Sequence, residues 1–266
     1  MKRIGSILKL IALYFKVNLS SAMEYRGSFL LQAFGMALSN GSFVFFWWIA
    51  FQQIGGRIGG YDFKDVMFIW AVASSAFGAS NILFANMNNI TRLIISGELD
   101  TFLLQPKDVL INLLCAKTTL SAWGDLAYGF ILMALTQGSA DGSAWAMFLV
   151  GMVIGGLLMT AVSVMAHTFT FYFGDASLIG GMALELTINF CIYPEGIYRG
   201  FVRLLMVTLI PATFIVHVPL RLARTFHPLL LAILLGVSLL YCCLAYWFFY
   251  RGLKKYESGN LIITRM

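Results

Sequence analysis

Three ionisable side chains stand inside otherwise apolar stretches: Asp125, His167 and Glu185. A charge in hydrocarbon is costly, so such a group faces a cavity, a partner or an ion path. As a set they would line a translocation path or hold a cationic substrate. Taken singly, each would be a buried, hydrogen-bonded or protonated group that holds helices together. Other chemistry is missing from the sequence. There is no GxSxG nucleophile turn, no HExxH zinc motif, and no pair of carboxylates at useful spacing within a loop. There is also no GxxxxGK[ST], so this chain does not bind and hydrolyse ATP through a P-loop. Uphill transport by it would draw on an ion gradient or on another subunit. Cys115, Cys191, Cys242 and Cys243 lie in or beside apolar segments, with no CxxC or Cys/His spacing. They read as small hydrophobes, not as disulfide or metal ligands.

The elements that position these groups follow from composition. Hydrophobic residues are 60% and charged residues 11% of the 266. A soluble domain carries about a quarter charged residues, so the chain is a polytopic, all-α membrane protein. Its net charge of +6 speaks for topology and anionic lipid, and no run of Lys and Arg forms a nucleic-acid patch.

Along the chain, Lys2, Lys9 and Lys16 recur every seven residues on one helical stripe, with Ile7, Leu10, Ile11, Tyr14 and Phe15 around them. Residues 1–26 therefore read as an amphipathic helix in the cytoplasmic interface rather than a cleavable signal. Six spans come next, at about Gly27–Ile54, Phe63–Met87, Leu110–Gln137, Ala144–Phe173, Leu178–Tyr193 and Leu229–Tyr250. Asp125 falls mid-way along the third. Asn81, Asn86, Asn88 and Asn89 cluster at the end of the second, where water or protein must satisfy their amides. Gly151 and Gly155 in the fourth have GxxxG spacing, which suits a dimer seam or packing within one subunit. Tight turns are expected at Gly138–Ser143 and Gly174–Ser177.

The polar island Asn88–Lys117 is the longest charge-bearing connection. Gly97 and Pro106 punctuate it, and between them acids mix with apolar residues. That mixture suits a short helix on the membrane surface, with residues 88–109 as a loop on which a soluble partner could push. Residues 195–228 hold Pro211, Pro219 and Pro228 among arginines. A seventh crossing there would place the Arg251–Lys255 cluster on the outer side. With six crossings, twelve of the eighteen basic residues share one side with both termini, leaving Arg57, Lys64, Arg199, Arg203, Arg221 and Arg224 opposite. Residues 195–228 therefore read as outer-face helices that dip in and return, the place for an exit gate. Residues 251–266 form a basic cytoplasmic tail.

Four segments carry a resemblance. They are MEYRGSFLLQ at Met23–Gln32, SGELDTFLLQPKD at Ser96–Asp108, LIPATF at Leu209–Phe214 followed by His217-Val218-Pro219, and RGLKKYESGN at Arg251–Asn260. Together they resemble the membrane subunit of an ABC exporter of the type-2 permease class, in its bacterial six-span family, and the likeness runs nearly end to end. The resemblance implies a single permease domain over 1–266, paired with a second permease copy as a homodimer or paralogous heterodimer. Separate ATPase subunits would bind ATP and magnesium below it, and no cofactor would bind in this chain. Gly97, Glu98, Leu99, Asp100, Leu103 and Pro106 would form the coupling helix seated in the ATPase, and Pro211, Phe214 and Pro219 the outer gate. The chain would lie in the bacterial cytoplasmic membrane, both termini inside, and move a hydrophobic or amphipathic compound outward. The rival readings are a partner-independent, gradient-driven secondary transporter and a purely structural subunit of a membrane complex. A membrane enzyme ranks last, for want of a site.

Overall fold

The computed structural model describes residues 2–137 and 142–257. Among them the chain is all-α, and its one β-bridge joins Ile58 to Tyr61 in a turn. The helices are α1 (Lys2–Glu24), α2 (Arg26–Ile54), α3 (Phe63–Phe84), α4 (Ile90–Ile95), α5 (Asp100–Leu103), α6 (Val109–Cys115) and α7 (Ala122–Gln137). They continue with α8 (Gly142–Thr168), α9 (Thr170–Phe173), α10 (Ser177–Ile192), α11 (Phe201–Thr208), α12 (Val218–Arg224) and α13 (Pro228–Leu253). A 3₁₀ turn, Ala85–Asn89, links α3 to α4, and a π-helical turn, Thr213–His217, leads into α12. Five stretches are long and apolar enough to cross a membrane, in α1, α2, the run from α3 through α4, the run from α8 through α9, and α13, or six if the bent pair around residue 210 is one span. α7 and α10, expected within the third and fifth spans, are shorter, and α1, expected in the interface, is among the five. The chain is thus a polytopic membrane protein.

α3 is the centre. It is apolar on every side, and Val66, Ile69, Ala71, Val72 and Ala76 are wholly buried, as expected of a helix enclosed by others. Its start is fixed by a reciprocal cap: the Asp65 amide donates to Asp62 at 2.8 Å and the Asp62 amide to Asp65 at 2.7 Å. Small residues bring its neighbours close. Gly78 meets the α7 backbone at Ala122 and Leu126, while Gly129 of α7 faces Ala71 and Ser75. Gly151 of α8 packs on Val72 and Pro219, and Gly155 on Ala76 and Ile215. The GxxxG spacing therefore serves packing inside the subunit.

The third span differs from its expected form. It is not one helix over Leu110–Gln137: α6 ends at Cys115, the chain breaks at 116–121, and α7 starts at Ala122. The apolar run Leu110–Cys115 concealed the break. Broken backbone at this depth must find partners in the protein, and it does. Asn86 donates to the Leu113 carbonyl at 2.8 Å, and the Thr119 amide donates to the Asn81 carbonyl at 3.0 Å. The asparagine cluster thus fastens the broken span. Asp125 accordingly lies in the first turn of α7.

α1 runs along α6. Tyr14 donates to Asn112 at 2.6 Å, and Asn18 donates to the Cys115 carbonyl at 3.1 Å. Lys9 and Lys16 of the stripe are exposed. Nearer its start, α1 faces Gln105–Val109 and Tyr246 and Tyr250 of α13 across an open cleft. The turn around 138–141 and the tail from 258 onward lie outside the described residues. Cys115 and Cys191 are buried, while Cys242 is half-buried and Cys243 exposed on α13.

Candidate functional site

Two ends of the bundle carry the polar residues, and each is built by a different device. At the loop end, Gly97 takes φ +74°, a left-handed conformation that favours glycine, and turns the chain after α4. Leu99 is wholly buried and roots α5. Beyond it the side chains turn outward: Leu103 is exposed, and Leu104 is 87% exposed at the tip. Pro106 is also exposed. Glu98 pairs with Arg92 at 2.5 Å on the surface, and that hydrogen bond holds its carboxyl below the usual carboxylate value. Below the loop, Asp108 caps α6 through the Ile111 amide and accepts from Tyr246 at 2.7 Å.

The tail motif meets the loop motif here. Burial, with the Asp100 carboxylate beside it, pushes the Tyr256 phenol up to about 12. Tyr256 also packs edge-on against Phe171, 6.2 Å between centroids. Two segments more than 150 residues apart in sequence thus form one surface. Of the expected coupling residues, Leu99 is a root and Leu103 and Pro106 belong to the exposed edge. Leu104, the most exposed of them, was not singled out by the sequence. Its position next to Leu103 left open which of the two faces outward.

At the opposite end, α11 leads to a turn at Pro211, and the π-helical turn and α12 follow, the two parts bent by 69°. Glu195 bridges the two parts, since it pairs with Arg203 of α11 at 3.5 Å and with Arg221 of α12. Arg224 pairs with Asp65 at the start of α3, its Nε 2.9 Å from Oδ1. The bend packs well along α13. The Thr208 carbonyl accepts from Tyr241, thirteen residues into α13, or about 20 Å at the helical rise. The freed Pro211 carbonyl accepts from the amides of Phe214 at 3.0 Å and Ile215 at 3.1 Å. Pro211 and Pro219 are buried, the latter against Gly151, and Phe214 is half-buried. Buried His217 meets the Tyr61 hydroxyl through Nδ1 at 3.2 Å.

Asp125, His167 and Glu185 are not brought together. Asp125 is 3% exposed and accepts from Asn40, at the middle of α2, at 2.6 Å. Its backbone carbonyl accepts from Ser74 at 2.6 Å, and its second carboxylate oxygen has no partner among the described residues. It borders a cavity of about 180 Å³ with Trp70, Ile188 and Ile192. His167 is buried near the loop end, where its Nδ1 meets Thr91 at 2.8 Å and Thr91 meets Thr170 at 2.8 Å. Glu185 is exposed on α10.

None of the curated proteins compared with this chain matches it. The family model for the ABC-2 family transporter proteins matches residues 38–259, from within α2 to beyond α13. With its all-helical membrane fold, the chain belongs to that family, as the membrane-embedded permease part of an ABC transporter that works with an ATPase partner.

Proposed function

We propose that the chain is the permease subunit of an ATP-driven exporter, in which ATP and magnesium bind in the partner and the force enters through α5. The observation that carries this is the tip of the loop. Leu104 is almost fully exposed just past the buried anchor Leu99, with Leu103 and Pro106 beside it. An apolar edge held out on a rooted loop suits an apolar groove of a soluble partner. Movement there would reach α4 directly, α8 through Thr91 and His167, and α13 through Asp108 and Tyr246. The ATPase must bind two permease states unequally for this to do work.

The path we assign runs beside α10, between Asp125 and Glu185, with His167 linking it to the loop. Pro211, Phe214 and Pro219 on the re-entrant pair form the outer gate. A hydrophobic or amphipathic compound moves outward through two permease copies, homodimer or paralogous heterodimer, in a bacterial cytoplasmic membrane with both termini inside. The exposed apolar residues of α2, including Leu31, Phe34 and Leu38, support cover by lipid or by the second copy. α1, with its exposed Lys9 and Lys16, is placed in the inner interface.

The test is a gentle pull-down of the tagged chain from native membranes, with mass spectrometry of the proteins that co-purify. We expect a stoichiometric P-loop ATPase. Leu104→Asp should lower its retention about tenfold or more, as for a central apolar anchor, with unchanged membrane insertion. An ATPase-free homo-oligomer, repeated under crosslinking, would leave a gradient-driven carrier as the better account.

A further inference from the structure

The face opposite the coupling loop holds a cleft of about 400 Å³ between the Gly55–Gly60 turn, the Glu195–Ile197 turn and the re-entrant pair. Tyr61, Glu195, Arg199, Arg203, Arg221 and Arg224 border it. Its walls are fixed rather than loose. Gly59 and Gly196 touch backbone to backbone, leaving no room for a side chain on Gly196. The Arg224 guanidinium lies 5.6 Å from the Tyr61 ring centre and is held by Asp65. Buried Glu195 takes one contact from Arg203 and one from Arg221.

We propose that this cleft binds a phosphate-class anion. Four arginines border it, while Glu195, Asp65 and Asp62 are the carboxylates that answer them, which leaves one positive charge over. Arg199 has no acidic partner among the described residues. Each guanidinium carries five donors in a flat fork, so one contact to a carboxylate leaves most of them free for phosphate oxygens. Arginine is kept where such planar, paired recognition matters, and the Tyr61 ring lies beside one of the four, Arg224. The placement strengthens the case. Six of the eighteen basic residues lie on this face in the six-span topology, and four of them converge on one cleft. A purely structural network would need one arginine for each acid.

The same chemistry comes from a lipid headgroup or from free phosphate, and the test separates them. The purified full-length chain is titrated in detergent with phosphatidylglycerol, and separately with inorganic phosphate. Binding is read by native mass spectrometry for the lipid and by thermal shift for both. We expect saturable binding that Arg199→Gln weakens about tenfold, the size of one charge-assisted contact. Arg57→Gln removes the same charge from the same face outside the cleft and should change binding less than about twofold. Lipid binding that phosphate does not displace identifies a headgroup site, and displacement identifies a free-anion site. Equal loss in Arg57→Gln and Arg199→Gln, or no binding of either probe, overturns the proposal.

Discussion

Asp125 shows how one residue can serve structure and transport at once. Its one bonded carboxylate oxygen, held by Asn40, ties α7 to the centre of α2, while the other is buried without a partner among the described residues, and the residue borders a small cavity. An asparagine there would still accept from Asn40. Asp125→Asn should therefore change unfolding stability in detergent by less than about 1 kcal/mol, the scale of a single neutral hydrogen bond. If Asp125 lines the path, transport by the assembled complex should fall severalfold in the same variant. Wild-type transport would make it a packing residue. The sequence marked Asp125 because charge inside an apolar run is rare. It did not reveal Asn40 as the partner, because that pairing joins residues 85 apart.

At the scale of elements, the re-entrant pair depends on two glycines of α8. A Cβ on Gly155 would come within 2.9 Å of both Ala76 and Ile215, at the bend. Gly155→Val should lower stability by about 1–3 kcal/mol through overpacking, measured by thermal unfolding in detergent. Gly181→Val is the control, since an added Cβ there meets nothing within 4 Å. An equal loss in both would mean that helix propensity, not the packing of the bend, sets the cost. The prolines foretold a break near residue 211, and the bend lies there. The break in the third span was not foretold, because the largely apolar residues 110–115 before it look like any helix interior. At the break, the Asn86 side chain donates to the Leu113 carbonyl and the Asn81 backbone carbonyl accepts from the Thr119 amide, both partners coming from outside the span.

For the whole molecule, the distribution of basic residues sets the orientation. The coupling loop and the arginine cleft lie at opposite ends of the bundle, so they should face opposite compartments. A membrane-impermeant thiol reagent should label Arg57→Cys in intact cells, and Leu104→Cys after permeabilisation only, each above the wild-type background. The reverse pattern would invert the topology. The class and the loop and tail motifs were legible in the sequence, because apolar length and charge placement are local properties that the bilayer itself enforces. Side-chain partnerships were not. Glu195 bridging α11 and α12, Tyr256 meeting Asp100, and the separation of Asp125 from His167 arise where distant segments pack. Such contacts are decided by the shapes of several helices together, and only the tertiary structure contains them.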